Sequence, residues 1–353
     1  MLATAHLTSS LPRRVLTALA ATILAGSALT ACSTQPAATA ENPNYTTEPT
    51  DTFPVTVAHE FGETVVPAEP QRVVVVGITE QDVLLELGVT PVATTEWYGE
   101  QPFAVWPWAA PLLGDAEPTV LHDADGIEYE KIISLSPDLI VGTNAGLTEE
   151  TYAKLSEIAP TVAGVEGGGA YFSDWREQTR LISTAVGRSS AGEELISGVD
   201  EAYTEAAAAH PEFAGLTATF SQGAPYEGNL YVYPAGLNTD FLTDLGFVMT
   251  PDLEKFAAEP DSQALISPEN VDLIDADVIV FATDFGENLD GLLGFGTVSS
   301  LDAVANHRAV FTDGTLAGAI YFLTPLSQKY VLEHLVPQLA AAVAGEAPQS
   351  IEG

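Results

Sequence analysis

Cysteine is nearly absent from this chain, and lysine and arginine are scarce. Cys32 is the only cysteine among 353 residues, so no disulfide can form within the chain. The 11 Lys and Arg residues face 49 Asp and Glu, which gives a formal net charge of −38 at pH 7. Phosphate binding needs clustered Lys and Arg, and their scarcity excludes nucleic acid as a partner. Folding must depend on burial of the apolar residues, which make up 46% of the sequence.

Motifs that indicate catalysis or direct metal binding are also missing. There is no Gly-x-Ser-x-Gly, and no Ser, His and Asp set can be picked out as a catalytic triad. The histidines beyond residue 32 are scattered, with no i, i+4 pair and no cysteine to join them. They are His59, His122, His210, His307 and His334. We therefore predict a protein that is not an enzyme, has no metal site and needs no cofactor.

Residues 1–32 resemble an export signal that ends in a lipidation site. Arg13 and Arg14 precede an apolar segment over 15–31, which has the length of a signal-peptide core. Leu29-Thr30-Ala31-Cys32 resembles a bacterial lipobox, in which the cysteine is acylated and becomes the new N-terminus. An ordinary signal peptide with an incidental cysteine is the alternative, and the choice between general and twin-arginine export stays open. We predict a protein anchored by lipid alone to the extracytoplasmic face of the cell membrane.

The segment 33–52 differs in composition from the rest of the chain. It is rich in Thr, Pro, Ala and Asn, and we predict a disordered tether. From Phe53 the chain alternates apolar strands with helices, which indicates an α/β fold with right-handed crossovers. The first strands are predicted over 72–76, 91–95 and 138–141, with a helix capped by Thr79 and another over 130–135. We assign 53–189 to an N-terminal lobe.

The same alternation restarts after residue 214. Strands are predicted over 217–220, 230–233, 278–281 and 309–311, which places a C-terminal lobe over 211–345. Glu130–Val141 and Glu269–Val280 are similar, with eight positions from Glu to Asp in each. Between the lobes, 190–210 lacks proline and begins with Ser190 as a cap and Glu193 three positions on. We predict a helical link about 30 Å long.

Three segments resemble a known family, the lipoprotein substrate-binding proteins of ABC importers for iron-siderophore complexes, haem and cobalamin. They are Pro70–Gly77, Leu84–Val92 and Gly126–Val141, and the resemblance extends from about Phe53 to Leu339. The family implies two Rossmann-like lobes joined by a single long rigid helix, with the ligand in the cleft between them.

The resemblance also implies a function. Thr95–Gly99 with Ala104–Trp108 is similar to the ferric-siderophore subgroup, which implies a monomeric protein that captures a ferric siderophore and delivers it to an ABC permease dimer. Iron would enter only inside that ligand. The family further implies that one Glu on each lobe docks onto permease arginines, and by position these are Glu130 and Glu269. Haem or cobalamin binding, and a sensor or adhesin on the same fold, remain open.

Candidate ligand contacts follow the predicted strands, because ligands bind at the carboxyl ends of strands in open α/β sheets. Aromatic faces with a few polar groups suit a large amphiphilic chelate. The candidates are Trp97, Tyr98, Trp106, Asn144, Tyr171, Arg176, Tyr226, Phe285 and Tyr321. The alternative for the aromatic set Trp97, Tyr98, Phe103, Trp106 and Trp108 is a small core inside their own loop.

The shortage of cations also predicts the charge of the ligand. Beyond residue 32 only nine Lys and Arg remain, and we expect Arg176, Arg180 and Arg308 to lie nearest the cleft. A triply anionic catecholate complex would lack compensating charge, whereas a ferric tris-hydroxamate is neutral or singly positive. The sequence therefore favours a neutral or positive chelate.

Overall fold

The computed structural model describes residues 47, 49–124, 126–171, 173–284 and 286–351. The predicted lipidation site Cys32 and the candidate contact Phe285 lie outside the described residues. The described chain begins with an antiparallel hairpin formed by β1 (Val55–His59) and β2 (Gly62–Val66).

The first main sheet has five parallel strands in the order β5-β4-β3-β6-β7. The strands are β3 (Val73–Val75), β4 (Ala93–Glu96), β5 (Thr119–His122), β6 (Leu139–Val141) and β7 (Thr161–Val162). The helices of this lobe are α1 (Glu80–Glu86), α2 (Ala110–Leu113), α3 (Tyr129–Ser134), α4 (Glu149–Ser156) and α5 (Trp175–Ala185), with a 3₁₀ turn at Pro102–Ala104.

Both faces of this sheet are covered, which explains its uninterrupted apolar strands. Val73 and Val75 pack into a core that contains Ile182 of α5. Val74, which points to the opposite face, packs with Ile132 of α3. Alternate side chains of a strand point to opposite faces, so a sheet sandwiched by helices selects a continuous apolar run.

The second sheet has the order β11-β9-β8-β12-β13, with β10 also paired to β8. Its strands are β8 (Thr217–Gln222), β9 (Leu230–Tyr233), β10 (Val248–Met249), β11 (Ala264–Ile266), β12 (Val278–Ala282) and β13 (Ala309–Phe311). The helices of this lobe are α7 (Asp240–Thr243), α8 (Gly286–Leu293), α9 (Asp302–Ala305), α10 (Gly314–Phe322) and α11 (Pro325–Val343). Shorter 3₁₀ segments lie at Pro211–Phe213, Leu253–Phe256, Pro268–Ile274 and Val298–Ser300. The predicted α/β class with two lobes is confirmed.

The chain passes from the first sheet to the second through α6 (Ser189–Ala209), a helix of 21 residues. The predicted cap at Ser190 is wrong. Arg188 is the N-cap residue and makes no side-chain cap, whereas the Asp51 carboxylate accepts hydrogen bonds from the Ser189 amide (3.0 Å) and hydroxyl (2.6 Å). A carboxylate from outside the helix therefore satisfies its first donors.

Further hydrogen bonds to the first lobe show that the predicted tether ends before residue 52. The amide nitrogens of Thr50 and Asp51 donate to the Gly187 carbonyl oxygen at 2.9 and 3.0 Å. The Thr47 hydroxyl donates to the Leu87 carbonyl oxygen at 2.7 Å, and the buried Arg188 guanidinium donates to the Thr47 hydroxyl at 2.9 Å. Residues 47 and 49–52 therefore belong to the folded lobe, because their polar backbone groups find partners there.

The two similar segments, Glu130–Val141 and Glu269–Val280, have the same structural role in the two sheets. Asp138 precedes β6, and its carboxylate accepts hydrogen bonds from the Arg72 and Gln71 amides at 2.8 and 2.7 Å. Asp277 precedes β12 and accepts from the Thr217 amide at 2.9 Å. Each aspartate thus fixes the start of the neighbouring central strand, β3 in one sheet and β8 in the other.

The longest helices of the described residues are α6 and α11. Neither they nor any other helix in this part of the chain combines the length and the apolar character needed to cross a bilayer.

Candidate ligand-binding cavity

A cavity of about 620 Å³ lies between the carboxyl edges of the two sheets. On the first lobe, Ile78, Trp97, Asp123 and Asn144 each lie within three residues of the end of a parallel strand. Carboxyl ends of parallel strands meet at one edge of a sheet, and their loops therefore converge on one site. The second lobe contributes residues that end or follow β8 and β12, and others from the loops and helices around them. These are Phe220, Gln222, Gly223, Ala224, Pro225, Tyr226, Tyr233, Asn238, Gln263, Ala282, Asp284, Ile320 and Tyr321.

Six of the nine sequence-predicted contacts line this cavity. They are Trp97, Tyr98, Asn144, Tyr171, Tyr226 and Tyr321. Of these six, Tyr171 and Tyr226 are the most exposed, at 51% and 61%, and they belong to opposite lobes. Their role as ligand contacts stays a prediction.

Trp106 is not among the lining residues and is buried behind the cavity wall. Its ring stacks on Trp108 with centroids 5.0 Å apart and supports Tyr98 at the same distance. It also packs edge-on against Phe322 of α10 at 5.5 Å. The alternative of a core inside the aromatic loop therefore describes Trp106 better than direct contact, because neighbouring rings cover its indole.

Arg176 is also outside the cavity. Its guanidinium pairs with Asp200 at 2.6 Å and with Asp244 at 3.4 Å, beside a separate cavity of about 160 Å³. Arg180 pairs with Glu193 and Arg308 with Asp302, and none of the three arginines is among the residues that line the cavity. In a chain with so many carboxylates, each of these three arginines forms an ion pair with an acidic side chain.

Several lining residues were missed by the sequence analysis, the most important being Asp123 and Asp284. Asp123 directly follows β5, and Asp284 comes two residues after β12. The strand-end rule that selected Asn144 applies equally to Asp284, which follows the predicted strand 278–281, whereas β5 was not among the predicted strands. Asp284 was passed over because aromatic character and positive charge guided the choice of candidates.

Three buried polar atoms of the lining lack a hydrogen-bond partner among the described residues. They are the Asn144 Oδ1, the Tyr98 hydroxyl and the Asp284 Oδ1. Burial without a partner costs about 1–3 kcal/mol per group. Such groups at the wall of a cavity are suited to contact a bound molecule.

Asn144 is held rigidly although its Oδ1 is unpaired. Its backbone amide donates to the buried Glu80 carboxylate at 2.7 Å, and its Nδ2 donates to the Thr79 hydroxyl at 3.1 Å. Burial raises the pKa of Glu80, while the hydrogen bond from the Asn144 backbone amide acts in the opposite direction. The Thr79 side chain was predicted to cap α1 but makes no such bond. Its hydroxyl accepts the hydrogen bond from Asn144 Nδ2 instead.

The described side chains that line the cavity are either acidic or uncharged. Among the described residues, no lysine, arginine or histidine lines it, whereas Asp123 and Asp284 do. Burial raises the pKa of Tyr233 to about 12 and raises the pKa of Tyr98 and of Tyr321 further. These phenols are therefore neutral at physiological pH and offer hydroxyl donors together with aromatic faces.

The floor of the cavity is built from both lobes. Trp97 contacts Phe322 of α10 with ring centroids 5.7 Å apart and contacts Tyr321 at 6.4 Å. Phe322 in turn packs against Trp108 at 5.3 Å. The described residues contain no group of three or more His, Cys, Asp or Glu side chains able to hold a metal ion.

Two α/β lobes with a cavity at their facing edges define a solute-binding architecture, and comparison with known proteins agrees. Residues 73–316 match the family model described as Periplasmic binding protein. This chain belongs to that family.

Similar proteins are found by sequence and by structure. The chain is 29% identical over 242 residues to the probable siderophore-binding lipoprotein YfiY of Bacillus subtilis (strain 168), which covers 66% of this chain and 70% of YfiY. A periplasmic solute binding protein from Mycobacterium smegmatis is 44% identical, with a TM-score of 0.76 over 82% of this chain and 98% of that chain. PiaA of Streptococcus pneumoniae, solved in complex with ferrichrome, is 27% identical, with a TM-score of 0.70 over 82% and 99%. These relatives are binding proteins rather than enzymes.

Proposed function

We propose that this chain captures a ferric siderophore in the cavity between its lobes and delivers it to an ABC permease. The observation that carries the proposal is the combination of aromatic faces, neutral phenol hydroxyls and unpaired polar atoms in one cavity of about 620 Å³. The names of YfiY and of the PiaA complex support the same ligand class.

The chemistry of a ferric chelate matches this lining. The iron is already saturated by the siderophore, so the protein needs no metal ligands of its own. The organic shell presents oxygen atoms and apolar arms, which phenol hydroxyls and the faces of Trp97 and Tyr321 can contact. A cavity of this size lies in the range in which proteins enclose small ligands.

Delivery requires a docking surface, and we assign it to Glu130 and Glu269. Both side chains are exposed and lie in the first turn of α3 and of the 3₁₀ segment Pro268–Ile274. These segments precede the equivalent central strands β6 and β12, so the two glutamates occupy equivalent positions in the two lobes. Two equivalent acidic groups suit a permease that is itself a dimer with two-fold symmetry.

Anchoring follows from the N-terminal segment. A lipid attached to Cys32 and the tether after it would hold the folded lobes on the extracytoplasmic face of the membrane, where the protein acts as a monomer. The net charge of −38 opposes adsorption to anionic lipid, which leaves the acyl chains as the attachment.

Intrinsic tryptophan fluorescence tests the ligand class. Purified protein without residues 1–32 is titrated with ferric hydroxamate, ferric catecholate and ferric carboxylate siderophores, and with haem and cobalamin. Trp97 lines the cavity and is 42% exposed, so we expect saturable quenching by at least one ferric siderophore. The Trp97→Phe variant is the control for a signal from this site. Tighter binding of haem or cobalamin than of every ferric siderophore would overturn the proposal.

A further inference from the structure

Among the described residues, Asp284 is a carboxylate that has no cationic partner inside the cavity. Its Oδ1 is buried and has no hydrogen-bond partner among the described residues. The nine Lys and Arg beyond residue 32 do not supply one, since no cation of the described chain lines the cavity. A second carboxylate, Asp123, lies at the facing lobe.

The surroundings of Asp284 are aromatic. Its negative charge acts on the hydroxyl groups of Tyr98, Tyr233 and Tyr321 and contributes to raising the pKa of each. Burial raises the pKa of Asp284 itself, and no nearby positive charge opposes that effect. An ionised carboxylate in such a place is unfavourable until a cation reaches it.

The unpaired oxygen atoms of Asn144 and Asp284 both require a hydrogen-bond donor. Asn144 Oδ1 can only accept a hydrogen bond, and its side chain is 6% exposed. Asp284 Oδ1 is an acceptor when ionised. A ligand that satisfies both must bring hydrogen-bond donors, and an ammonium group brings three together with a positive charge.

Building on the proposed function, we propose that Asp284 is a specificity-determining contact that selects positively charged chelates, namely ferric tris-hydroxamates with a protonated amine. The ammonium donates to the Asp284 carboxylate while the faces of the neighbouring tyrosines contribute cation–π attraction. A polyanionic ferric complex meets two carboxylates and no compensating cation, so it is rejected by like-charge repulsion.

Two ligands that differ only in one positive charge test the role of that charge. Ferrioxamine B carries one free amine, and its N-acetylated form has the same iron shell without the positive charge. We expect the wild-type protein to bind the amine form about ten-fold more tightly or better, measured by fluorescence quenching and calorimetry. The Asp284→Asn variant should bind both forms with equal affinity, and the acetylated form as tightly as wild type does.

Asp290→Asn is the control variant. Asp290 is exposed, belongs to the same lobe and does not line the cavity, so this variant removes one charge and should keep the wild-type preference for the amine form. Equal binding of the two forms by wild type overturns the inference, as does an unchanged preference in Asp284→Asn. The wild-type comparison can overturn the inference even where a variant folds poorly.

The outcomes also separate this inference from the function on which it rests. Binding of a triply anionic ferric catecholate in preference to ferrioxamine B would overturn the role of Asp284 and leave siderophore capture standing. Failure of every ferric siderophore to bind would overturn both.

Discussion

Thr324 donates a hydrogen bond of 2.7 Å from its hydroxyl to the buried carboxylate of Asp82. Thr324 is the N-cap of the C-terminal helix α11, whereas Asp82 lies in α1 of the first lobe. The same carboxylate oxygen accepts from the Trp108 indole nitrogen at 2.7 Å. One acidic side chain of α1 therefore links this helix to the N-cap residue of α11 and to the loop that carries Trp108.

The protonation of Asp82 predicts a pH dependence of stability. Burial raises the pKa of Asp82 to about 7, above about 3.9 for an unfolded chain. The folded protein binds this proton more tightly, so the free energy of unfolding falls as pH rises from about 4 to about 7, by up to roughly 4 kcal/mol. Asp82→Asn cannot ionise and still offers an oxygen to both donors.

We expect Asp82→Asn to be more stable than wild type near pH 8 and to lose this advantage near pH 5. Denaturant unfolding at both pH values and constant salt measures the difference. The exposed Asp290→Asn serves as the control, because it removes a charge without changing a buried group. Parallel pH profiles for wild type and Asp82→Asn would contradict the assignment.

Tyr98→Phe should shift stability and affinity in opposite directions. The variant removes a buried hydroxyl that has no partner among the described residues, so the free energy of unfolding should rise by about 1 kcal/mol. Loss of a donor to the ligand should weaken siderophore binding about ten-fold. Tyr203→Phe is the matched control. Its hydroxyl is bonded to Gln328, and this variant should lose stability without a change in affinity. A destabilised Tyr98→Phe with normal affinity would show a structural role.

Gly318→Ala tests the wall behind the cavity. A Cβ atom at Gly318 would lie 2.5 Å from Cζ3 of the Trp106 ring. Trp106 is held between Trp108 and Tyr98 and has no room to move, so overpacking should cost about 1–3 kcal/mol and exceed the gain in helix propensity of about 1 kcal/mol. Gly198→Ala in α6 has nothing within 4 Å of the new Cβ and should gain stability. Thermal unfolding of both variants measures the contrast, and equal gains would show that the Trp106 packing is loose.

Glu130→Gln combined with Glu269→Gln should abolish iron uptake in cells and leave siderophore affinity unchanged. The two side chains are exposed and do not line the cavity, so their loss weakens association with the permease alone. The double variant Glu63→Gln, Glu333→Gln removes two other exposed acids and should transport normally. Normal import by the first double variant would refute the docking assignment, and would favour a sensor or adhesin.

Cys32→Ala should release the protein from the membrane, because the acyl chains are the proposed attachment. Fractionation of cells followed by immunoblotting measures the distribution between washed membranes and the soluble fraction. Absence of a radiolabelled acyl chain on the variant is the parallel measurement. Continued sedimentation of Cys32→Ala with membranes would contradict lipid anchoring.

Apolar patterning and chain order are sufficient to predict the central strands of both sheets and the edge at which the cavity lies. Apolar runs such as Val73–Val75 and Leu139–Val141 specify strands covered on both faces, and their spacing specifies crossover helices. The ends of parallel strands coincide in space, so Trp97 and Asn144 could be placed at one edge without coordinates. This rule depends only on chain order, which the sequence contains.

Which side chains of that edge reach the cavity, and which charges are paired, depends on how distant segments pack together. Arg176 meets Asp200 and Asp244, 24 and 68 positions away, and is withdrawn from the site. Asp284 meets no cation among the described residues and keeps an unpaired oxygen. With 49 acids and few bases, sequence spacing leaves many ion pairs possible, and the packing of distant elements selects among them because Coulomb attraction and desolvation depend on distance and burial.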